Sequence, residues 1–243
     1  MALLWKEPEQ VDVVWRAARA AYDLSQAAGT PKARQKELLE QALKLIRDAK
    51  NKERNDGAIY RWSGIILSAA GAFQGTTEYI KNAFVVRDDW EQATFINSYD
   101  ATAVHLLGRW HFDVANMSWL TRKAASTFFA EPPSATFAEA LEYFMRAESL
   151  NPGFWKANQY MLAQTHAKMG NKEEAVKWAL SAIRLPVLSE EDAKTHAEVE
   201  AMLKATDSAA WATWQAEKAK REELRQAAVS AEAHRLGAGV PRK

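Results

Sequence analysis

Apolar residues recur every three or four positions along most of this 243-residue chain. Near the amino terminus, Val11, Val14 and Trp15 would share one face of a helix, and no stretch shows the sustained alternation that is typical of strands. The chain contains only ten glycines and seven prolines, which disfavours turn-rich sheets. The pattern predicts an all-α protein built from antiparallel helix pairs.

Helix start and stop signals divide this pattern into segments. A side-chain oxygen just before a helix accepts a hydrogen bond from a free amide of the first turn. Four residues of this kind each predict the start of a helix: Thr30, Thr136, Asn171 and Ser189. Breaks are predicted at Gly29, Gly170, the pair Pro132 and Pro133, and Pro186.

The helix pairs match a known 34-residue helical repeat, in which small residues let two helices approach and large residues fill the gap. The third pair matches best, through Leu107, Gly108, Ala140, Phe144 and Ala147. One helix pair cannot bury its apolar face without neighbours, so several pairs in series favour a repeat architecture. The prediction is a tetratricopeptide-like superhelix with lengthened helices, and an irregular helical bundle is the alternative.

The predicted domain organisation follows from these pairs. Residues 1–207 form a single tetratricopeptide-like domain, with repeat units at about 11–54, 57–98, 100–152 and 155–187 and a capping helix at 189–205. The third unit has about twenty additional residues between His111 and Thr136. Residues 208–243 are rich in Ala, Glu, Lys and Arg, which predicts a charged helical extension and a disordered tail after Leu236.

Composition and targeting signals restrict the class of protein further. The net charge is +1, so any attraction to an acidic partner would come from local clustering of charge, and the absence of cysteines fits a reducing compartment. We expect no nucleic-acid partner. The amino terminus lacks the apolar region of a signal peptide. The apolar stretch at 62–73 is shorter than the roughly 18–20 residues that span a bilayer, and it predicts a buried helix. The chain is expected to be soluble and intracellular, without a transmembrane segment.

No strong catalytic motif occurs in the sequence. A phosphate-binding glycine loop, His-Glu-x-x-His and Gly-x-Ser-x-Gly are all absent, and no two of the five histidines are three or four residues apart. His111 and His166 stand at a core position of the repeat, and most of the ten tryptophans, Trp15, Trp62, Trp90 and Trp110 among them, are predicted to be core residues. We predict a non-enzymatic protein with no catalytic residue, metal site or cofactor.

A binding surface is the remaining possibility. In stacked helix pairs the first helices line a concave groove, and residues at fixed repeat positions point into it. The candidates are Arg16, Arg61, His105 and Tyr160, followed by Arg109, Gln164 and Lys168. Such a groove would favour an extended acidic peptide or a phosphate-bearing head group, although solvated helix faces also carry arginines. Two basic stretches, 32–54 and 218–243, compete with the groove, since each has a net charge of +4.

The third unit resembles the regulator of microtubule dynamics family. The resemblance rests on "DATAVHLLGRWHFDVANMSWLTRKAASTFFAEPP" at 100–133 and "TFAEALEYFMRAESLNP" at 136–152, with support from "VVWRAARAAYDLS" at 13–25 and "WSGIILSAAG" from Trp62. It covers about residues 11–206. It implies a helical domain that associates with microtubules, at spindle microtubules and spindle poles in some members. Some vertebrate members instead have an amino-terminal membrane anchor, and one works at contacts between endoplasmic reticulum and mitochondria, where its helical domain can hold phospholipid.

Two hypotheses follow from this resemblance. The first is a microtubule-binding protein of the cytoplasm and cytoskeleton that acts on spindle microtubules in chromosome segregation, with tubulin and possible spindle or kinetochore proteins as partners. The second is a phospholipid-binding or adaptor module of the membrane-contact type. This chain shows no anchor, which favours the first. An enzyme is a distant third.

Overall fold

The computed structural model describes residues 11–128 and 133–237, and the regular structure in these residues is entirely helical. The predicted all-α fold is confirmed. The helices in these two ranges are α1 (Val11–Gln26), α2 (Lys32–Lys52), α3 (Gly57–Gly71), α4 (Thr76–Ile96), α5 (Ala101–Ala115), α6 (Trp119–Phe128), α7 (Phe137–Leu150), α8 (Lys156–Lys168), α9 (Lys172–Arg184), α10 (Glu190–Thr206) and α11 (Ser208–Gly237). None of them combines the length and the apolar character needed to cross a bilayer.

Four antiparallel pairs account for most of the packing: α1 with α2, α3 with α4, α5 with α7, and α8 with α9. Small residues allow the close approach that the repeat pattern predicts. A Cβ atom added to Gly64 would lie 2.3 Å from Nε1 of Trp90, and one added to Gly108 would lie 2.8 Å from the Phe144 ring. Glycine is therefore needed at both positions because a large side chain of the second helix occupies the space.

The additional residues of the third pair contain a helix of their own. α6 lies between α5 and α7 in the chain and packs against α4. Of the two prolines that were predicted to end this insertion, Pro132 lies outside the described residues, and Pro133 is buried. The tail predicted after Leu236 also lies almost wholly outside the described residues.

The helix starts are correct in position, but only some have the predicted caps. Thr136 forms a capping box with Glu139, and the Ser189 hydroxyl accepts a hydrogen bond from the amide of Asp192. The other two cap predictions were wrong. Thr30 donates its hydroxyl hydrogen to the carbonyl of Leu24, and the Asn171 side chain makes no cap hydrogen bond.

The chain divides into two compact units, Met1–Phe154 and Trp155–Lys243, and each is described by itself. The core of the first unit includes Trp15, Ile46, Leu67, Trp90 and Trp110, which confirms the predicted burial of three of the tryptophans, while Trp62 is half-buried beside them. In the second unit α8, α9 and α10 pack around a core that α11 completes with Trp214. The predicted single domain of residues 1–207 stays a prediction.

Candidate partner-binding surface

Arg16 is the first of the predicted groove residues. It lies on α1 with 61% of its side chain exposed, and its Nε is 2.9 Å from Oδ2 of Asp12, one turn earlier. The guanidinium lies 4.6 Å from the centroid of the Trp15 ring. Asp12 raises the pKa of Arg16, with a smaller contribution from Asp56. An exposed pair of this kind contributes little to stability, so Arg16 can exchange Asp12 for another carboxylate.

Arg61 lies in a different environment, on α3. Its guanidinium forms an ion pair with Asp100, and the two side chains are only 22% and 11% exposed. Asp100 is the N-cap of α5, where Oδ1 accepts hydrogen bonds from the amides of Thr102 and Ala103. Arg61 therefore links the first helix of one pair to the start of the first helix of the next pair.

The recurrence of arginine at this repeat position has a structural explanation. Asp56, whose charge acts on Arg16, is the N-cap of α3 and accepts a hydrogen bond from the amide of Ala58. In both cases the arginine lies on the first helix of one pair and the aspartate caps the first helix of the next pair. Only Arg61 and Asp100 are in direct contact. Aspartates before a helical pattern are recognisable cap signals, and sequence reasoning missed both of them.

The two remaining candidates of the first unit lie on α5. His105 is 3% exposed, and its ring centroid is 5.2 Å from that of Phe144, so it packs in the interior of the pair. Arg109 is 52% exposed, and its Nε lies 3.2 Å from both carboxylate oxygens of Asp113. Arg109 therefore resembles Arg16 as an exposed cation with an exchangeable partner.

The candidates of the second unit lie on α8. Tyr160 is half-buried and packs against the core of that unit, Gln164 is half-buried, and Lys168 is exposed in the last turn. A binding row of all seven residues remains a prediction. Within the first unit, Arg16 and Arg109 are accessible to a partner, whereas Arg61 is engaged with Asp100 and His105 is buried.

An apolar cavity of about 330 Å³ lies among α1, α3, α4 and α5 in the first unit. Its lining is mainly aromatic and aliphatic and includes Tyr22, Tyr79, Trp90, Leu106, Trp110 and Val114. Arg109 and Asp113 also line it, and burial raises the pKa of Asp113 above its ordinary value. The cavity could therefore hold an apolar group of a ligand next to the Arg109–Asp113 ion pair.

A second cavity, of about 390 Å³, lies where α2, α3 and α4 meet, and we name it the α2–α4 groove. It is lined by Leu43, Ile46, Arg47, Lys50, Asn51, Ser63, Leu67, Asn82 and Val85. No carboxylate is among these lining residues. The groove was not predicted as a site, and the only sequence signal for it is the basic stretch at 32–54.

Titratable groups converge in a third cavity, where Glu53, Asp56, Arg61 and Asp100 are near one another. Asp56 and Asp100 bind helix amides, and Oε1 of Glu53 accepts a hydrogen bond from the amide of Asn55. Each of these groups therefore has a structural task. In the described parts of the chain, no three His, Asp or Glu side chains form a cluster that could hold a metal ion.

The helix packing and the small residues that permit it define a tetratricopeptide-like helical-repeat protein. The same fold is found in the crystal structure of a thermophilic TPR protein of Thermus thermophilus. That structure matches with a TM-score of 0.55 at 13% sequence identity and covers 81% of this chain and 84% of the other.

Residues 2–207 match the family described as Regulator of microtubule dynamics protein 1-3, and the chain belongs to this family. The resemblance found in the sequence is thereby confirmed. Regulator of microtubule dynamics protein 1 of Mus musculus is 36% identical over 203 residues, which are 84% of this chain and 67% of that protein. Regulator of microtubule dynamics protein 3 of Xenopus laevis is 31% identical over 195 residues, which are 80% of this chain but only 42% of that protein.

Proposed function

We propose that this chain is a non-enzymatic protein that binds microtubules and regulates their dynamics. Membership of the regulator of microtubule dynamics family supports this function most strongly. We further propose that it acts in the cytoplasm on the cytoskeleton, at spindle microtubules and spindle poles during chromosome segregation, with tubulin and other spindle or kinetochore proteins as partners.

Electrostatic attraction provides the physical basis of this proposal. The surface and the carboxyl-terminal tails of tubulin are strongly acidic, and exposed arginines bind carboxylates through charge-assisted hydrogen bonds. Arg16 and Arg109 are more than half exposed on the first unit. Lys168 is exposed on the second unit, as are the cations of α11 from Lys218 onward. These residues form the proposed contact, and Arg61 serves to hold the repeats together.

Charge reversal and truncation separate the two sources of positive charge. The Arg16→Glu/Arg109→Glu double variant tests the first helices. Lys172→Glu/Lys177→Glu is a control with the same change in net charge, because these side chains are 62% and 68% exposed on the second unit. The truncation should remove residues 220–243 and retain Trp214, which is 5% exposed in the core. If only the truncation abolishes co-sedimentation with microtubules, the contact through Arg16 and Arg109 is wrong.

The apolar cavity supports a second candidate function, the binding of a phospholipid or another apolar ligand. Its volume of about 330 Å³ is at the lower end of the range for ligand pockets, about 300–1,000 Å³. It has room for part of one acyl chain, which is why this function ranks second. Native mass spectrometry of the purified protein tests it. A bound lipid that is lost when Ala69→Trp fills the cavity would favour this function, and its absence in the wild-type protein would contradict it.

A further inference from the structure

The α2–α4 groove combines an apolar floor with polar walls. Leu43, Ile46 and Leu67 are buried beneath it, and Val85 is 46% exposed at its edge. At one end Lys50 pairs with Asp89, whose side chain is 5% exposed, so the positive charge of Lys50 is largely compensated there.

Three polar side chains of the groove have no hydrogen-bond partner in residues 11–128 and 133–237. Ser63 is only 6% exposed, yet its hydroxyl makes no hydrogen bond there. The Asn51 amide and the Arg47 guanidinium are exposed and also lack a partner in these residues. The Ser63 hydroxyl oxygen is not completely buried, so a ligand in the groove can accept its hydrogen bond. All three side chains can donate to an anion.

The charge around the groove selects an acidic ligand. No carboxylate lines it, and Arg47 forms no ion pair in the described part of the chain. Lys44 lies about one turn before Arg47 on α2 and is likewise exposed and unpaired there. From Lys44 to Asn51 the helix rises about 10 Å, which matches about three residues of an extended peptide. A row of donors of this length fits successive carboxylates on one strand better than a single small anion.

We propose that the α2–α4 groove binds an extended acidic segment, with carboxylates at Arg47, Asn51 and Ser63 and an apolar side chain over Leu43, Leu67 and Val85. This inference rests on the proposed function. If the chain binds microtubules, the acidic segment is the carboxyl-terminal tail of tubulin. It places the contact on the side of the first unit formed by α2 and α4, and adds it to the contact proposed for Arg16 and Arg109.

The direct test measures binding of a fluorescent synthetic peptide of the tubulin tail to the full chain by anisotropy. Arg47→Glu and Val85→Asp should each raise the Kd at least about tenfold. The first places a carboxylate where a peptide carboxylate binds, and the second places a charge against the apolar side chain of the peptide. Lys177→Glu and Val187→Asp are matched controls, since Val187 is 48% exposed and lies outside the groove. The controls should leave the Kd within about twofold. Equal Kd values for groove variants and controls, or no binding of the peptide by the wild-type chain, would overturn the inference.

Co-sedimentation with intact and tail-free microtubules separates this inference from the proposed function. Removal of the tails, or Arg47→Glu, should lower the fraction that pellets. If the wild-type chain pellets equally with both kinds of microtubule, the groove proposal is wrong and microtubule binding stands. If it pellets with neither, the proposed function is wrong, and the peptide Kd values then decide only whether the groove binds an acidic segment. Displacement of the peptide by inorganic phosphate as effectively as by unlabelled peptide would show a simple anion site and contradict the inference.

Discussion

At the scale of single residues, two arginines at the same repeat position have different tasks. Arg61 is 22% exposed and pairs with Asp100, whereas Arg16 is 61% exposed and pairs with Asp12. Sequence position led to the same prediction for both residues because the partner of Arg61 is 39 residues away. Periodicity identifies a helix face but does not reveal which side chains of a distant helix occupy it.

Removing these two side chains should have unequal costs. Arg61→Ala leaves the largely buried Asp100 carboxylate without its cation, and we expect a loss of about 1–3 kcal/mol in the free energy of unfolding. Arg16→Ala should leave this free energy unchanged within the error of the measurement, since exposed pairs contribute little. Urea unfolding of both variants checks the difference. Similar losses in the free energy of unfolding for the two variants would contradict the role of Arg61 in linking consecutive helix pairs.

His166 provides a pH-dependent test within the second unit. Burial lowers the pKa of His166 below its ordinary value of 6.5. As the pH falls through about 6.5, the unfolded chain takes up the proton first, so the folded state loses stability until the folded pKa is passed. His166→Leu should therefore lose less thermal stability than the wild type between about pH 7.5 and pH 5.5. Part of the wild-type dependence should remain, because burial also lowers the pKa values of His111 and His196. An equal fall in melting temperature between pH 7.5 and pH 5.5 for the two proteins would contradict this assignment.

For the helices, the sequence predicted where each one lies in the chain better than it predicted the hydrogen bonds that cap the helix ends. The pairs, the extra residues before Thr136 and the final helices all follow from apolar spacing, because burial of one face dominates helix placement. Caps depend on one or two side-chain hydrogen bonds, which compete with other nearby partners. Thr30, which bonds to the Leu24 carbonyl instead, illustrates that competition.

α11 has a packed part near its start and an exposed part beyond it. Trp214 is 5% exposed against the core of the second unit, and Arg184 binds Glu217 at 2.9 Å. From Lys220 onward, the residues whose side chains are described are exposed. Trp214→Ala should cost about 3–5 kcal/mol, while removal of residues 220–243 should change the free energy of unfolding by less than about 0.5 kcal/mol. Denaturant unfolding followed by circular dichroism checks both, and a comparable loss on truncation would show that the distal part is packed.

At the scale of the whole molecule, fold class and family were predictable from the sequence, and the binding surface was only partly so. Four loosely matched repeats were sufficient to predict the fold class, and the resemblance of residues 100–133 and 136–152 to a known family was sufficient to predict the family. The seven groove candidates separate into exposed, paired and buried residues only when their neighbours are known, as His105 against Phe144 shows. The α2–α4 groove could not be predicted because three helices contribute to it.

Electrostatic binding of this chain to microtubules can be measured by co-sedimentation of the wild-type chain with microtubules across a salt series. Screening shortens the reach of exposed charges from about 30 Å at 0.01 M to about 10 Å at 0.1 M salt. We expect most of the protein to pellet with microtubules at low salt and this fraction to fall steadily as salt is added. Absence of pelleting at low salt, or a pelleted fraction that does not change with salt, would contradict it.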